Sequence, residues 1–156
     1  MGKIFDVQFM FDSIPSILTG IPKSLAIALF AFTLGIFIGF IGAISKIYRI
    51  PVLERITTVY VSFIHGTPLL VQILLIYYGI PIIVRIINQK FGTQFDLSRI
   101  PAIVFMFAAF SLNAGAYLTE TIRSAIQAVD KGQTEAGLSI GMSKRQTFLS
   151  VVLPEA

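Results

Sequence analysis

Ser24-Leu-Ala-Ile-Ala-Leu-Phe-Ala-Phe-Thr-Leu-Gly-Ile-Phe-Ile-Gly-Phe-Ile-Gly-Ala-Ile-Ser45 runs from end to end without one ionisable group. At about 1.5 Å per residue, a helix of that length crosses the roughly 30 Å hydrocarbon layer of a bilayer. The rest of the chain keeps the same character. Of its 156 residues, 55% are hydrophobic and 13% charged, and the mean hydropathy is +0.84. A water-soluble domain carries roughly a quarter charged residues, so this chain has too little polar surface to cover a globule. The composition excludes a disordered chain. Having no cysteine, the sequence also excludes a disulfide-stapled module and a Cys-ligated metal domain.

Two further apolar runs follow. Ile56 to Val84 holds no Asp, Glu, Lys or Arg, and His65 is its one histidine. Ile100 to Thr119 is the third run and ends just before Glu120. The second run is too long for one straight span, and Gly66, Pro68, Gly79 and Pro81 are expected to divide it into an interfacial lead-in, a span and an exit. The expectation is an all-α, polytopic membrane helical bundle. Residues 1–23 form an N-terminal interfacial segment. Residues 24–127 are transmembrane, with spans near 24–45, 58–82 and 100–122, and residues 128–154 form a cytoplasmic elbow. The N-terminal segment lacks the basic start, compact apolar stretch and cleavage site of a signal peptide. Phe5, Val7, Phe9, Met10, Phe11, Ile14, Ile17 and Leu18 are mixed there with Asp6, Asp12 and Lys23, which suits a segment lying at the interface.

Lysine and arginine in short loops set orientation. Lys46, Arg49, Arg55, Arg123, Lys131, Lys144 and Arg145 fall on one side, and Lys3, Lys23, Arg85, Lys90 and Arg99 on the other. Seven against five favours the N-terminus outside and the Lys46–Arg55 loop in the cytoplasm. A pI near 9.6 fits contact with lipid headgroups. No RNP motif, zinc finger or basic helix points to nucleic acid.

The least apolar stretch runs from Asp130 to Pro154. Asp130 can cap a helix with Gln133 reaching back, and Gly141 offers a left-handed helix end. Ser143 and Gln146 repeat the box, opening a second helix that Pro154 is expected to interrupt. Phe148, Val151 and Val152 give this second helix an apolar face. Physics alone leaves two readings open: a connector lying on the membrane surface, or a knob that enters a groove on a cytoplasmic partner.

Glu135-Ala136-Gly137, then Gly141, then Leu153-Pro154, resembles the EAA loop of ABC-transporter permease subunits. Gly66-Thr67-Pro68 leading to Gln72 and on to Tyr77-Tyr78-Gly79-Ile80-Pro81 resembles the polar amino-acid uptake branch. So does Ala116-Tyr117 with Glu120 and Arg123, leading into Gly132-Gln133. These blocks run from about Tyr60 to the last residue, and Leu18-Thr-Gly-Ile-Pro22 fits more loosely. The resemblance implies a type I ABC-importer transmembrane domain in the bacterial cytoplasmic membrane. It further implies that Glu135, Ala136, Gly137, Gly141, Leu153 and Pro154 couple to cytoplasmic ATPase subunits. The other implied partners are an extracytoplasmic amino-acid-binding protein, a second permease subunit (identical or related) and membrane lipid, with no cofactor in this chain. Gly66, Thr67, Pro68, Arg123 and Gly132 belong to the structural motif. Gly137 departs from the second alanine of the name motif, and His65 from the arginine common before Gly-Thr-Pro in this branch. Family members continue past this Leu-Pro, so residues 155–156 read as the start of a truncated next span.

Asn113 and Tyr117 sit four apart inside the third run, with Ser111 and Thr119 nearby. Together with Gln72 and Glu120 they are the candidates for a substrate path. Polar groups in hydrocarbon face a bundle interior or a cavity, and interhelix glue is the competing role. Glu120 and Arg123, three apart, share a helix face and can pair with each other or face the elbow and ATPase side. Tyr77 and Tyr78 suit an aromatic belt at the outer interface. His65, a lone histidine, reads as a polar residue at an irregular backbone, with a pH switch as the alternative. The chain has no Gly-rich phosphate loop and no nucleophile arrangement of Ser, His and Asp. The expected function is therefore the permease of an ATP-driven importer for glutamine, glutamate, arginine, histidine or cystine, without bond chemistry of its own. The competing reading is a secondary carrier or channel with a non-coupling linker, although carriers coupled to ions tend to place acidic sites at the midplane.

Overall fold

A computed structural model describes residues 7–97 and 99–156. Lys3, Phe5 and Asp6 lie outside the described residues. Helix α1 (Val7–Leu18) carries Pro15 and leaves Phe9, Phe11 and Ile17 exposed. Helix α2 begins at Ile21 rather than Ser24, with Pro22 in its first turn, and runs to Ile47. Proline suits that position because the first N–H groups of a helix have no partner inside it.

The long second run divides only once. Helix α3 (Leu53–His65) stops at Gly66, and Pro68, with ψ of 140°, redirects the chain into α4 (Leu69–Leu74). From there one helical rod continues through a π turn at Leu75–Gly79 into α5 (Ile80–Phe91). The second candidate span is thus Leu69–Phe91, 23 residues, instead of 58–82, and Gly79 and Pro81 form no exit. The reason is local. A proline two residues past the π turn would otherwise clash with the carbonyl four residues back, and widening that turn moves the carbonyl aside. Pro154 is accommodated in the same way. After α8 (Lys144–Thr147), a π turn at Phe148–Val152 carries the chain into α9 (Leu153–Glu155), so Pro154 does not interrupt the helix.

The third span, α6, occupies Ala102–Ala128 and continues past Glu120 and Arg123. Those charges do not end it because they pair, as described below. Among the described residues, three helices are long and apolar enough to cross a membrane: Ile21–Ile47, Leu69–Phe91 and Ala102–Ala128.

Pairs of touching residues give their directions. Phe30 meets Phe107, and going down the two helices Gly35 meets Ala114, Gly39 meets Leu118 and Lys46 meets Glu120, so α2 and α6 run parallel. Tyr77 meets Phe105 while Gln72 meets Asn113, so the middle span is antiparallel to α6. Three successive crossings of a membrane require this alternation.

Helices α2 and α6 form the principal packing pair. A Cβ added at Gly35 would lie 2.9 Å from Ala114 Cβ, and one at Gly39 would lie 2.7 Å from Leu118 Cβ. Ala31, Gly35 and Gly39 repeat every fourth residue, the small-residue spacing that lets membrane helices approach backbone to backbone. Helix α3 closes the bundle with Val61 and Ile64 buried against Ala116. Outside this contact the surface is oil, with Leu29, Phe37, Val59, Leu70 and Ile83 among the exposed side chains.

Candidate functional site

Three places gather the polar residues: the break between α3 and α4, the far end of α2 and α6, and the elbow. At the break the last carbonyls of α3 lack helical partners. Gln72, one turn into α4, supplies them. Its Nε2 donates to Ile64 O and Thr67 O, each at 2.9 Å, and lies 3.1 Å from Thr67 Oγ1. Its Oε1 accepts from Asn113 Nδ2 at 3.0 Å. Gln72 is only 3% exposed, so it is consumed in holding the break and tying it to α6. Gly66 and Thr67 form the turn itself, and Thr67 Oγ1 donates back to Phe63 O at 2.8 Å.

Tyr117, one turn beyond Asn113, is 54% exposed, and its ring lies 4.4 Å from the ring of His65. The structure therefore brings Gln72 and Asn113 together and sets Tyr117 with His65. Sequence reasoning missed that His65–Tyr117 pair. It also missed Tyr60, whose hydroxyl donates to Leu112 O, and the bond of 3.0 Å between Ser45 and Thr57 hydroxyls. No sequence signal marked these contacts, whereas the glycine spacing in α2 was legible and went unread.

Glu120 lies seven residues beyond Asn113, about 10 Å along the helix, and is not brought to the Gln72–Asn113 pair. One of its oxygens accepts from Lys46 Nζ, and the other accepts from Arg123 Nε at 2.8 Å and Arg123 Nη2 at 2.7 Å. Arg123 Nη1 also donates to Gln127 Oε1 at 2.8 Å. Lys46 is the partner the sequence did not reveal. The trio is mostly covered, with side chains 17% to 31% exposed, and it ties the end of α2 to α6.

The elbow consists of α7 (Lys131–Ser139) and α8. Asp130 Oδ1 accepts from Gly132 N at 2.6 Å, an N-cap that forms without a reciprocal bond from Gln133. A Cβ on Gly132 would stand 2.9 Å from that oxygen. The far end of α7 is a Schellman turn. Gly141 takes φ of +86°, with Gly141 N donating to Leu138 O at 3.0 Å and Met142 N to Gly137 O at 3.1 Å. The second box closes in both directions between Ser143 and Gln146. Gly137 is buried against Thr147, which locks the two short helices at a fixed angle. Glu135 and Ala136 face outward, and Ile140 is 80% exposed. Of the expected apolar face on the second helix, Val152 is buried and Phe148 meets Tyr48 edge-on at 6.3 Å, so the elbow rests on the end of α2. Leu153 and Pro154 lie past this contact, in α9.

Three spans of alternating direction, a polar break just before the second and a rigid two-helix elbow after the third define a polytopic helical membrane protein. Residues 31–156 match the family described as binding-protein-dependent transport system inner membrane component. The chain belongs to that family, within its amino-acid ABC permease group. It is 36% identical over all of its length to the L-cystine transport system permease protein TcyL of Bacillus subtilis, covering 63% of that protein. It is 38% identical over 90% of its length to the putative glutamine transport system permease protein GlnP of Rickettsia prowazekii, covering 59% of it. Among solved structures, one titled "Crystal structure of an amino acid ABC transporter with histidines" superposes with a TM-score of 0.76 at 34% identity. That match covers 98% of this chain and 65% of the other. The chain thus spans less than two thirds of the length of these relatives.

Proposed function

We propose that this chain is the membrane-spanning part of an ATP-driven importer for a polar amino acid, and that its elbow docks on a cytoplasmic ATPase. The observation that carries the docking reading is the build of the elbow. Capping, a Schellman turn and the Gly137–Thr147 contact fix its shape, while Glu135, Ala136 and Ile140 are turned outward without partners to cover them. A mere connector has no need of a rigid knob with an exposed apolar tip. Glu135 supplies the charged anchor, and Gly141 allows the turn that presents it. Leu153 and Pro154 carry the elbow back toward the membrane.

In this reading an external binding protein delivers the amino acid, and this subunit pairs with a second permease around the path. ATP binding and hydrolysis in the partner switch the path between its two openings. The elbow faces the cytoplasm and the N-terminus lies outside, in a bacterial inner membrane. Asn113 and Tyr117, with His65, line the path, while Gln72 and Glu120 hold the framework around it. The names of the relatives support amino acids as the substrate class, with cystine and glutamine both represented.

The test is co-purification of the full-length permease with its ATPase. Glu135→Lys is expected to abolish association while leaving membrane insertion normal. Association that survives the charge reversal would overturn the docking role. Uptake that persists without ATP in the presence of an ion gradient would overturn the ATP-driven reading.

A further inference from the structure

At the end of the bundle opposite the ion trio, the loop after α5 folds back on its own helix. Gly92 ends α5 in the left-handed region, at φ of +67°. Asn88 then clamps the returning segment. Its Nδ2 donates to Phe95 O at 2.8 Å, and its Oδ1 accepts from Phe95 N at 3.1 Å and Thr93 Oγ1 at 2.7 Å. The clamp borders an open cavity of about 440 Å³ between the π turn and α5, the loop and the first turn of α6. Cavities that hold small molecules run from roughly 300 to 1,000 Å³, so this one fits a single small solute and is too small to seat a protein.

Its lining is specific. Tyr77 packs edge-on against both Tyr78, at 4.9 Å, and Phe105, at 5.6 Å, which gives an aromatic floor. Arg85 and Asp96 bring opposite charges to the same cavity. The Asp96 carboxylate also stands 4.0 Å from Arg99 Nε, in a pair open to solvent. The Arg85 guanidinium has no ion pair or hydrogen bond among the described residues, although it stands in the middle of α5 with Val84 and Ile86 on either side in sequence. An unpaired guanidinium over a concave site suits a carboxylate, which it can grip through two parallel bonds. A carboxylate on the same lining suits an ammonium, and aromatic faces accept apolar or cationic side chains.

We propose that this cavity is a holding site for the free amino acid, separate from the Asn113–Tyr117 face. Arg85 receives the α-carboxylate, Asp96 the α-ammonium, and the Tyr77–Tyr78–Phe105 floor the side chain. The proposal rests on the importer reading above and places the site at the outer mouth. It supplies a waiting position between release from the binding protein and entry into the path.

The 156 residues contain no tryptophan, so Phe95→Trp places an indole at the cavity wall. The whole transporter, with its ATPase and without binding protein, is reconstituted in nanodiscs. L-glutamine, L-glutamate, L-arginine, L-histidine and L-cystine are titrated one at a time against the indole emission. At least one is expected to give a saturable change. Adding Arg85→Gln should raise its apparent Kd tenfold or more, and the α-carboxamide of the same amino acid should not compete. No saturation with any of the five, or a titration indifferent to Arg85→Gln, overturns the holding site. If Phe95→Trp does not fold, equilibrium dialysis of radiolabelled amino acid against the unsubstituted and Arg85→Gln transporters reads the same binding, and equal affinity for the two overturns the site. ATPase retention in the unsubstituted preparation is scored separately, because its loss counts against the importer reading and not against the cavity.

Discussion

Gly137 has space for a hydrogen and nothing larger. A Cβ there would stand 2.6 Å from Thr147 Cγ2 and 3.0 Å from Thr147 Oγ1. Thr147 cannot swing away, since it is 1% exposed and its hydroxyl donates to Ser143 O at 3.1 Å. Gly137→Ala gains ~1 kcal/mol of helix propensity and incurs an overpacking cost of about 1–3 kcal/mol. The expected outcome is a lower Tm for the solubilised full-length protein. Adding Thr147→Ser, which deletes the nearest methyl, should recover part of the loss, because contacting residues couple non-additively. A Tm raised by Gly137→Ala alone would show that the helix–helix contact is not tight. Read as a sequence, this glycine only weakens a helix. Its partner ten residues on was invisible because the Gly141 bend that brings them together fixes a direction in space, which spacing along a chain does not encode. Gly141 itself was legible, since a positive φ demands a particular residue type.

Elements were legible wherever composition alone decides them. The runs without charge marked the first and third spans, and Gly66 with Pro68 marked the break. The misjudged points were the two downstream prolines. Pro81 and Pro154 read as breakers, but each is preceded by a π turn that removes the clash while the helix continues. Nothing in the residue types announces a widened turn. At the break, Gln72→Leu keeps the side-chain volume, leaves Thr67 O and Asn113 Nδ2 without their partner, and leaves Ile64 O only the long bond of 3.5 Å from Thr67 N. Buried groups orphaned in this way cost about 1–3 kcal/mol each. The variant is expected to lose Tm and to become cleavable by protease near Gly66, whereas an unchanged digestion pattern would show that the break holds itself. On the facing pair, Gly39→Leu places a side chain where only 2.7 Å is open to Leu118 Cβ. A destabilisation of about 1–3 kcal/mol is expected, measured as loss of folded protein in detergent.

Across the whole molecule, the charges divide between two ends. Lys46, Glu120 and Arg123 secure one end, and Glu120→Gln leaves two partly covered cations with a weaker acceptor. Charge-assisted bonds contribute about 1.5–3 kcal/mol, so this change should lower Tm by several degrees, and by less in the background of Lys46→Met. Equal losses in both backgrounds would remove Lys46 from the trio. Orientation is open to a direct measurement because the 156 residues contain no cysteine. In intact cells a membrane-impermeant maleimide should label Thr93→Cys, and should label Lys131→Cys only after permeabilisation. The reverse pattern would invert the topology argued from the margin of seven basic residues over five. The bundle class and the elbow were legible in the sequence, but the pairing of spans was not. Contacts such as Lys46 with Glu120 join residues 74 apart, and a single sequence carries no record of which faces meet.

The close seam between α2 and α6 has a mechanical consequence. Two helices of 27 residues each, about 40 Å long, touch through backbone along Gly35 and Gly39 and are pinned at one end by the ion trio. They cannot slide past one another without collision, so they tilt together as one stiff beam. The elbow rests against that beam at its end, through Tyr48 and Phe148. A tilt of about 10° about the elbow end would carry the far end roughly 7 Å, so a change of angle at one end of the beam is felt along its whole length.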